Sequence, residues 1–473
     1  MSTISTTRRG FLALSTSIAT LLAGCGSAST QQGSDSAASS ASGASAQSAS
    51  SNAKRESISD DTNGGHAIAV SGESRSYTSV DVTKTGDDDG DEADFYGTNA
   101  AVYAENGATL DLSDITVSSN GQHANAVFSY GEGTTVNISN STIETVSNCS
   151  GGIMVTGGGT LNATEVFVHT TGNSSAPIRS DRGGGTQIVE GGEFISDGKG
   201  SPVIYSTADV QVESAKLTSN SSQGVVVEGK NSVSLRDCTL VASNTSKNSD
   251  KSDWYQAVMI YQSMSGDAAQ GAASFSAAGG SITNQNGDVF FVNNTVCTIA
   301  LQNVAITNND KTGNFLRAAA AGWGSEGSNG GQVTINAAKQ EISGNFLVDK
   351  VSNLNLYVTD GSSLTGAINP DGAAGDVYVE LSDGSTWELT ADSHITGLTC
   401  GTDAISLNGY ALYVGEATYQ AGTASTGTAI ETKVQESSGG PGGGGEPPAK
   451  PGEGSSDAPE GSGNKPPTKP DSQ

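Results

Sequence analysis

The sequence predicts an all-β fold: a right-handed parallel β-helix solenoid of about ten or more coils, with disordered N- and C-terminal segments. Three observations predict it. An apolar triplet recurs through residues 60–435, mostly at steps of 23–26 residues. Each repeat carries three short β-rich runs divided by Gly, Asn, Asp and Ser turns. Glycine fills 63 of 473 positions and aromatic residues only 5%, which suits a β-solenoid better than a helical protein.

The chain opens with a segment to be set apart from the fold. TTRRGFL (residues 6–12) places Arg8 and Arg9 ahead of the apolar run ALSTSIATLLAG. That run is shorter than the roughly 20 apolar residues of a membrane-spanning helix. The arginine pair resembles a twin-arginine export signal, and Leu22-Ala23-Gly24-Cys25 is similar to the lipobox of bacterial lipoproteins. The resemblance covers residues 1–25 as a signal peptide. It implies export of the folded chain and acylation of Cys25, the new N-terminus. The protein is then extracytoplasmic, lipid-anchored to the membrane and displayed at the cell surface. Two acyl chains suffice for stable anchoring.

Residues 26–59 are almost entirely Ser, Ala, Gly and Gln. They hold too little apolar surface to offset ordering entropy and predict a flexible stalk, with an r.m.s. span on the order of 30 Å. Residues 436–473 turn to Gly, Pro and charge (GGPGGGGEPPAKPGEG) and predict a second disordered segment. Neither a sortase-type signal nor a membrane β-barrel sequence follows, so an autotransporter is not expected.

The repeat lies between. Its triplet has an apolar residue, a usually polar or small residue two places on, and an apolar residue three further. It reads Leu112-Asp114-Val117, Ile138-Asn140-Ile143, Ala163-Glu165-Val168, Val189-Gly191-Phe194 and Val212-Ser214-Leu217. It continues with Leu235-Asp237-Leu240, Ala277-Gly279-Ile282, Leu301-Asn303-Ile306 and Ala337-Lys339-Ile342. Ahead of each triplet comes another run, such as AAVYA, GGIMV, APIRS, VVVEG or VFFVN. One coil cannot bury its inner face. Coils stacked about 4.8 Å apart pair every strand and align the inward residues into ladders. Asn140, Asp237 and Asn303 fall at a bend, where left-handed backbone is expected.

This three-strand repeat is similar to pectin-lyase-like solenoids and adhesin passenger domains. Exposed terminal coils require caps, expected over 60–99 and 345–435. The second contains DGSTWELTADSHITGLTC, which resembles the end of adhesin passenger domains.

Fifty acidic residues against 22 basic ones give a net charge of −28. That field disfavours nucleic acid, anionic membrane surfaces and unaided polyanionic glycans. The cysteines beyond Cys25 show no CxxC spacing and no His neighbour pointing to zinc, so they read as small buried hydrophobes.

Insertions lengthen two coils, and in solenoids such insertions gather on the binding face. They are NTSKNSDKSDWY (244–255), SMSGDAAQGAA (263–273) and AAAAGWGSEGSNGG (318–331). One edge is therefore expected to gather Asp181, Arg182, Ser265, Asp267, Trp323 and Glu326, joined from an adjacent corner by Trp254 and Tyr255. Aromatic rings beside polar groups suit sugars, whose C–H faces stack while their hydroxyls hydrogen-bond. The alternative is that the two tryptophans pin their own loops. TGDDDGDEADF offers Asp87, Asp88, Asp89, Asp91, Glu92 and Asp94, either a solvated loop or a calcium site, although the spacing is not that of an EF-hand.

In SSAPIRSDRGGGTQ, Arg179 and Asp181 are reminiscent of a lyase base beside a calcium ligand, but without a second acidic coil. The histidines show no Asp or Ser partner by spacing. A local Arg–Asp pair holding a glycine-shaped corner is the principal expectation, ahead of glycan binding or catalysis. The functional expectation is an adhesin or glycan-binding lipoprotein that takes polysaccharide or a host or cell-surface glycan, more readily than an enzyme. The alternative is a polysaccharide lyase or glycoside hydrolase.

Overall fold

A computed structural model describes residues 55–247, 249–263 and 265–432. Arg8, Arg9 and Cys25 lie outside them, as do residues 26–54 of the expected stalk and the expected tail. The described chain is a parallel β-helix solenoid of three long sheets. Sheet A stacks ten strands, from Glu56–Asp60 to Ala305–Asn308; sheet B stacks eleven, from Ile68–Ser71 to Phe346–Val348. Sheet C stacks thirteen, from Ser74–Thr78 to Gly397–Thr399. Among the described residues, no helix is long and apolar enough to cross a membrane.

The triplet straddles the corner from sheet C to sheet A. Its first members pair in register on sheet C, Leu112 with Ile138, Ile138 with Ala163, Ala163 with Val189 and onward to Ala337. Its third members pair on sheet A from Val117 to Ile306. These ladders line one continuous interior. All nine middle residues have positive φ, including Asn140 (49°), Asp237 (50°) and Asn303 (52°).

Two expectations need correction. The end regions are largely regular coils. Strands at Ile68–Ser71, Ser74–Thr78 and Val80–Lys84 already belong to the three sheets, and sheet C runs on through Asn353–Thr359 and Asp376–Leu381. Closure at the far end falls within the expected 345–435 cap, to an antiparallel hairpin, Leu412–Val414 with Ala417–Thr418. The chain then folds back: Ser425 bridges Cys400, and Ile430 N donates to Asn355 Oδ1 at 2.8 Å. Trp387 of the WELT segment is fully buried in a short fourth sheet.

The acidic run also forms a one-and-a-half-turn helix, α1 (Asp91–Tyr96), where a loop was expected. Asp91, Glu92 and Asp94 occupy its first turn, where carboxylates complement the helix dipole. Gly97, at φ 71°, ends it; a Cβ there would meet the Tyr103 and Phe128 rings at 2.8–2.9 Å.

Candidate functional site

Sheets A and C alternate buried and open positions, as at Thr142–Thr145, whereas Gln256–Tyr261 and Asp288–Asn293 in sheet B are buried throughout. Sheet B is therefore covered on both faces over these strands, although its first strand, Ile68–Ser71, still alternates. Its outer face carries one row in register: Tyr103, Phe128, Met154, Arg179, Tyr205, Val226, Met259, Phe291, Arg317 and Leu347. Side chains of this row form two apolar clusters separate from the interior.

α1 covers the end nearer the N-terminus and meets the Arg179 corner. Arg179, 9% exposed, donates Nη1 to Asp94 Oδ1 at 3.1 Å and to the Cys149 carbonyl at 3.2 Å. Its Nη2 lies 3.5 Å from Asp181 Oδ2. The adjacent coils place Met154 and Tyr205 beside Arg179, without a second acidic coil as expected, and the second carboxylate arrives instead on α1. Asp94 also meets His123 Nδ1 at 3.1 Å, and His169 meets Asp197 at 2.7 Å, so two histidines have the carboxylate partners that spacing hid.

Burial opposes ionisation of Asp94, but the Arg179 charge and the His123 bond outweigh it and hold the carboxyl below its usual range. The bond to Asp94, then the interaction with Cys149, lift His123 to about 10. Burial pushes Asp181 up to about 7 against the opposing charge of Arg179.

The glycines shape this corner: a Cβ on Gly184, at φ 58°, would stand 2.6 Å from the Thr207 carbonyl oxygen. Arg182 leaves the corner with its guanidinium carbon 3.7 Å over the Phe95 ring and Nε 2.6 Å from Asp267 Oδ1, clamping the 263–273 insertion to α1. A base that takes a substrate proton must reach it. Buried between two carboxylates, Arg179 is a structural tie.

The six carboxylates do not share one cradle. Asp87 Oδ1 accepts from Gln122 N, Asp88 Oδ1 caps its own turn at Asp89 N and Gly90 N, and Asp89, Asp91 and Glu92 are exposed.

Toward the other end the insertions leave an opening. A cleft of about 270 Å³ is lined by Tyr205, Met259, Tyr261, Trp254, Tyr255 and Trp323, with Gln223, Asn244, three serines, Lys247 and Lys251. Among the described residues no Asp or Glu lines it. Tyr205 and Tyr261 both donate to Glu228 Oε2, the latter at 2.8 Å, which fixes two of the rings. Burial, then the neighbouring Tyr261 and Glu228 charges, push the Tyr205 hydroxyl well above its usual range. Trp323 packs edge-on against Tyr261, with ring centroids 5.2 Å apart.

Trp254 lies between Phe291, at 5.5 Å, and the Arg317 guanidinium, at 4.6 Å. Arg317 is held by buried Asp288 at 2.6 Å. Trp254 also borders a second cleft of about 340 Å³, shared with Arg317, Asp349, Asn369 and Asp371. Asn244 Oδ1 in the first cleft is buried without a hydrogen-bond partner among the described residues.

The expected single edge is therefore two places. Trp254, Tyr255 and Trp323 converge on the cleft, whereas Asp181, Arg182 and Asp267 belong to the closed corner and Glu326 stands exposed on its insertion. Sequence reasoning missed Tyr205, Tyr261, Lys247, Lys251 and Arg317. The uninterrupted apolar runs PVIYS and AVMIY were the available signal, since a strand covered on both faces loses its alternation. No protein-family model, curated protein or solved structure matches the chain.

Proposed function

We propose that the chain is a surface-tethered lipoprotein whose β-helix binds glycan, as an adhesin or glycan-binding protein, through the cleft at Trp254 and Trp323. The aromatic lining of that cleft carries the reading. Half-buried indole and phenol rings offer faces for sugar C–H groups. Gln223, Ser246, Ser249 and Ser252 supply hydroxyl partners. Lys251 and Lys247, the latter also paired with the exposed Asp253 at 3.3 Å, bring cations to the cleft of an acidic chain, which favours sugars that carry a carboxylate or sulfate. Tethering rests on the resemblance of residues 1–25 to a twin-arginine lipoprotein signal, with Cys25 as the acylated residue.

A lyase or hydrolase is the weaker reading. Glycoside hydrolysis uses two carboxyl groups flanking the bond, and among the described residues none lines the first cleft. In the second, Asp349 already accepts from Ala320 N, Val351 N and Ser352 Oγ.

Mass spectrometry after incubation with plant, mucin and bacterial-wall polysaccharides separates the readings. Retention of an acidic glycan without new oligosaccharides is the expected result. Unsaturated or hydrolysed products would establish an enzyme instead.

A further inference from the structure

The closed end of sheet B assembles three groups of ligand chemistry that the glycan reading does not use. His123 and Cys149 occupy the same turn position in successive coils, both with left-handed backbone, at φ 52° and 57°. Their amides donate to the next coil, His123 N to Asn148 O and Cys149 N to Asn173 O. Coils stack about 4.8 Å apart, so an imidazole and a thiol stand on neighbouring rungs. α1 lays Asp94 over both. A carboxylate oxygen, a ring nitrogen and the sulfur lie within 4.8 Å of one another, which no other His, Cys, Asp or Glu trio among the described residues achieves. Asp94 is buried, whereas His123 and Cys149 keep part of their surface exposed.

We propose that Asp94, His123 and Cys149 form a site for a borderline-soft divalent cation of the zinc class, with a fourth position open to water. Ligand bonds of about 2.0–2.3 Å in a tetrahedron set the donor atoms roughly 3.3–3.7 Å apart. Asp94 Oδ2 and His123 Nδ1 stand 3.1 Å apart, close to that spacing. Arg179 occupies the other carboxylate oxygen and the Cys149 carbonyl, so it orients two of the ligands from outside. A thiolate with an imidazole selects zinc-like ions over calcium, which takes oxygen ligands. The expectation that no cysteine has a histidine neighbour is corrected here, because the pair is one coil apart and not close in sequence.

The same residues invite comparison with a Cys–His–Asp nucleophile relay. A relay keeps the imidazole between the nucleophile and the carboxylate. Here His123 interacts with both the Asp94 carboxylate and Cys149, while the sulfur and the carboxylate oxygen also lie within 4.8 Å of each other, so cobalt binding separates a metal site from a relay.

Titration of the reduced full chain with Co²⁺ tests the site. The expected result is one equivalent bound, with sulfur-to-cobalt charge-transfer absorption in the near ultraviolet that zinc displaces. Cys149→Ser is expected to abolish that absorption and weaken zinc binding at least about tenfold. Ser174 already occupies the same turn one coil on, so the fold tolerates serine there. His123→Asn, which keeps a residue suited to left-handed backbone, is expected to weaken binding with an unchanged circular dichroism spectrum. Absence of the band overturns the proposal. So does a band that survives Cys149→Ser, since it would belong to another cysteine, such as Cys25.

Discussion

The two ends of the outer row on sheet B are covered in opposite ways. Around Arg179 a short helix and a glycine corner close over the row, and the charges there find partners: Arg179 with Asp94 and Asp181, Arg182 with Asp267. Around Trp254 the 244–255 and 318–331 insertions touch, with Gly322 N donating to the Lys251 carbonyl at 2.7 Å, yet half-buried rings still line an open cleft. The same two-sided sheet thus acts as a second core where a helix closes it and forms the floor of a cleft, the proposed binding site, where loops do not. Charge and aromaticity at a decorated edge do not by themselves distinguish the two; whether the side chain is already satisfied does.

Truncation at each end should separate these roles. Arg179→Ala leaves Asp94 and Asp181 buried without their shared cation, and an expected loss of about 3–5 kcal/mol is read by urea unfolding, with glycan retention affected only through folding. Trp254→Ala should do the reverse. It is expected to weaken glycan binding by about 2 kcal/mol, roughly thirtyfold in Kd, with a smaller change in unfolding midpoint. An equal loss of stability from both variants would erase the contrast.

The closed end also carries a pH signature. The folded Asp181 carboxyl titrates near 7, above its ordinary value of 3.8, so its contribution is fully present below about pH 4 and is lost as pH rises through 7. Unfolding free energy of the parent minus that of Asp181→Asn should therefore fall between pH 4 and 7. A flat difference would mean that Asp181 is ionised throughout. Arg182→Ala is the mildest test. Its ion pair with Asp267 is partly exposed and screened, and the expected loss is about 1 kcal/mol or less, seen chiefly as faster proteolysis of the 263–273 insertion.

Much of the fold was legible because the solenoid writes itself into spacing. The nine triplets place inward residues in the observed register, and their middle residues are all left-handed, Glu165 and Lys339 included, which propensity alone does not select. Repeats carry that information because equivalent positions share one environment. The closed corner was not legible for the opposite reason. Asp94 and Arg179 are 85 residues apart, as are Arg182 and Asp267, and both contacts depend on segments that break the repeat and cross the outside of the sheet. Trp254 and Trp323 were found as aromatics on insertions. Tyr205 and Tyr261 were hidden inside strands that read as ordinary core.

Of three tryptophans, Trp254 and Trp323 line the cleft and Trp387 is fully buried far along the chain. Tryptophan emission is therefore a direct reporter of occupancy, and its titration with acidic oligosaccharides is the most direct test of the glycan-binding cleft. Saturable change is expected in the parent chain, weakened by salt through Lys247 and Lys251 and lost in Trp254→Phe/Trp323→Phe, where Trp387 alone remains. Undiminished binding of the glycan by that double variant, measured in parallel by calorimetry, would place recognition elsewhere on the solenoid and contradict the assignment.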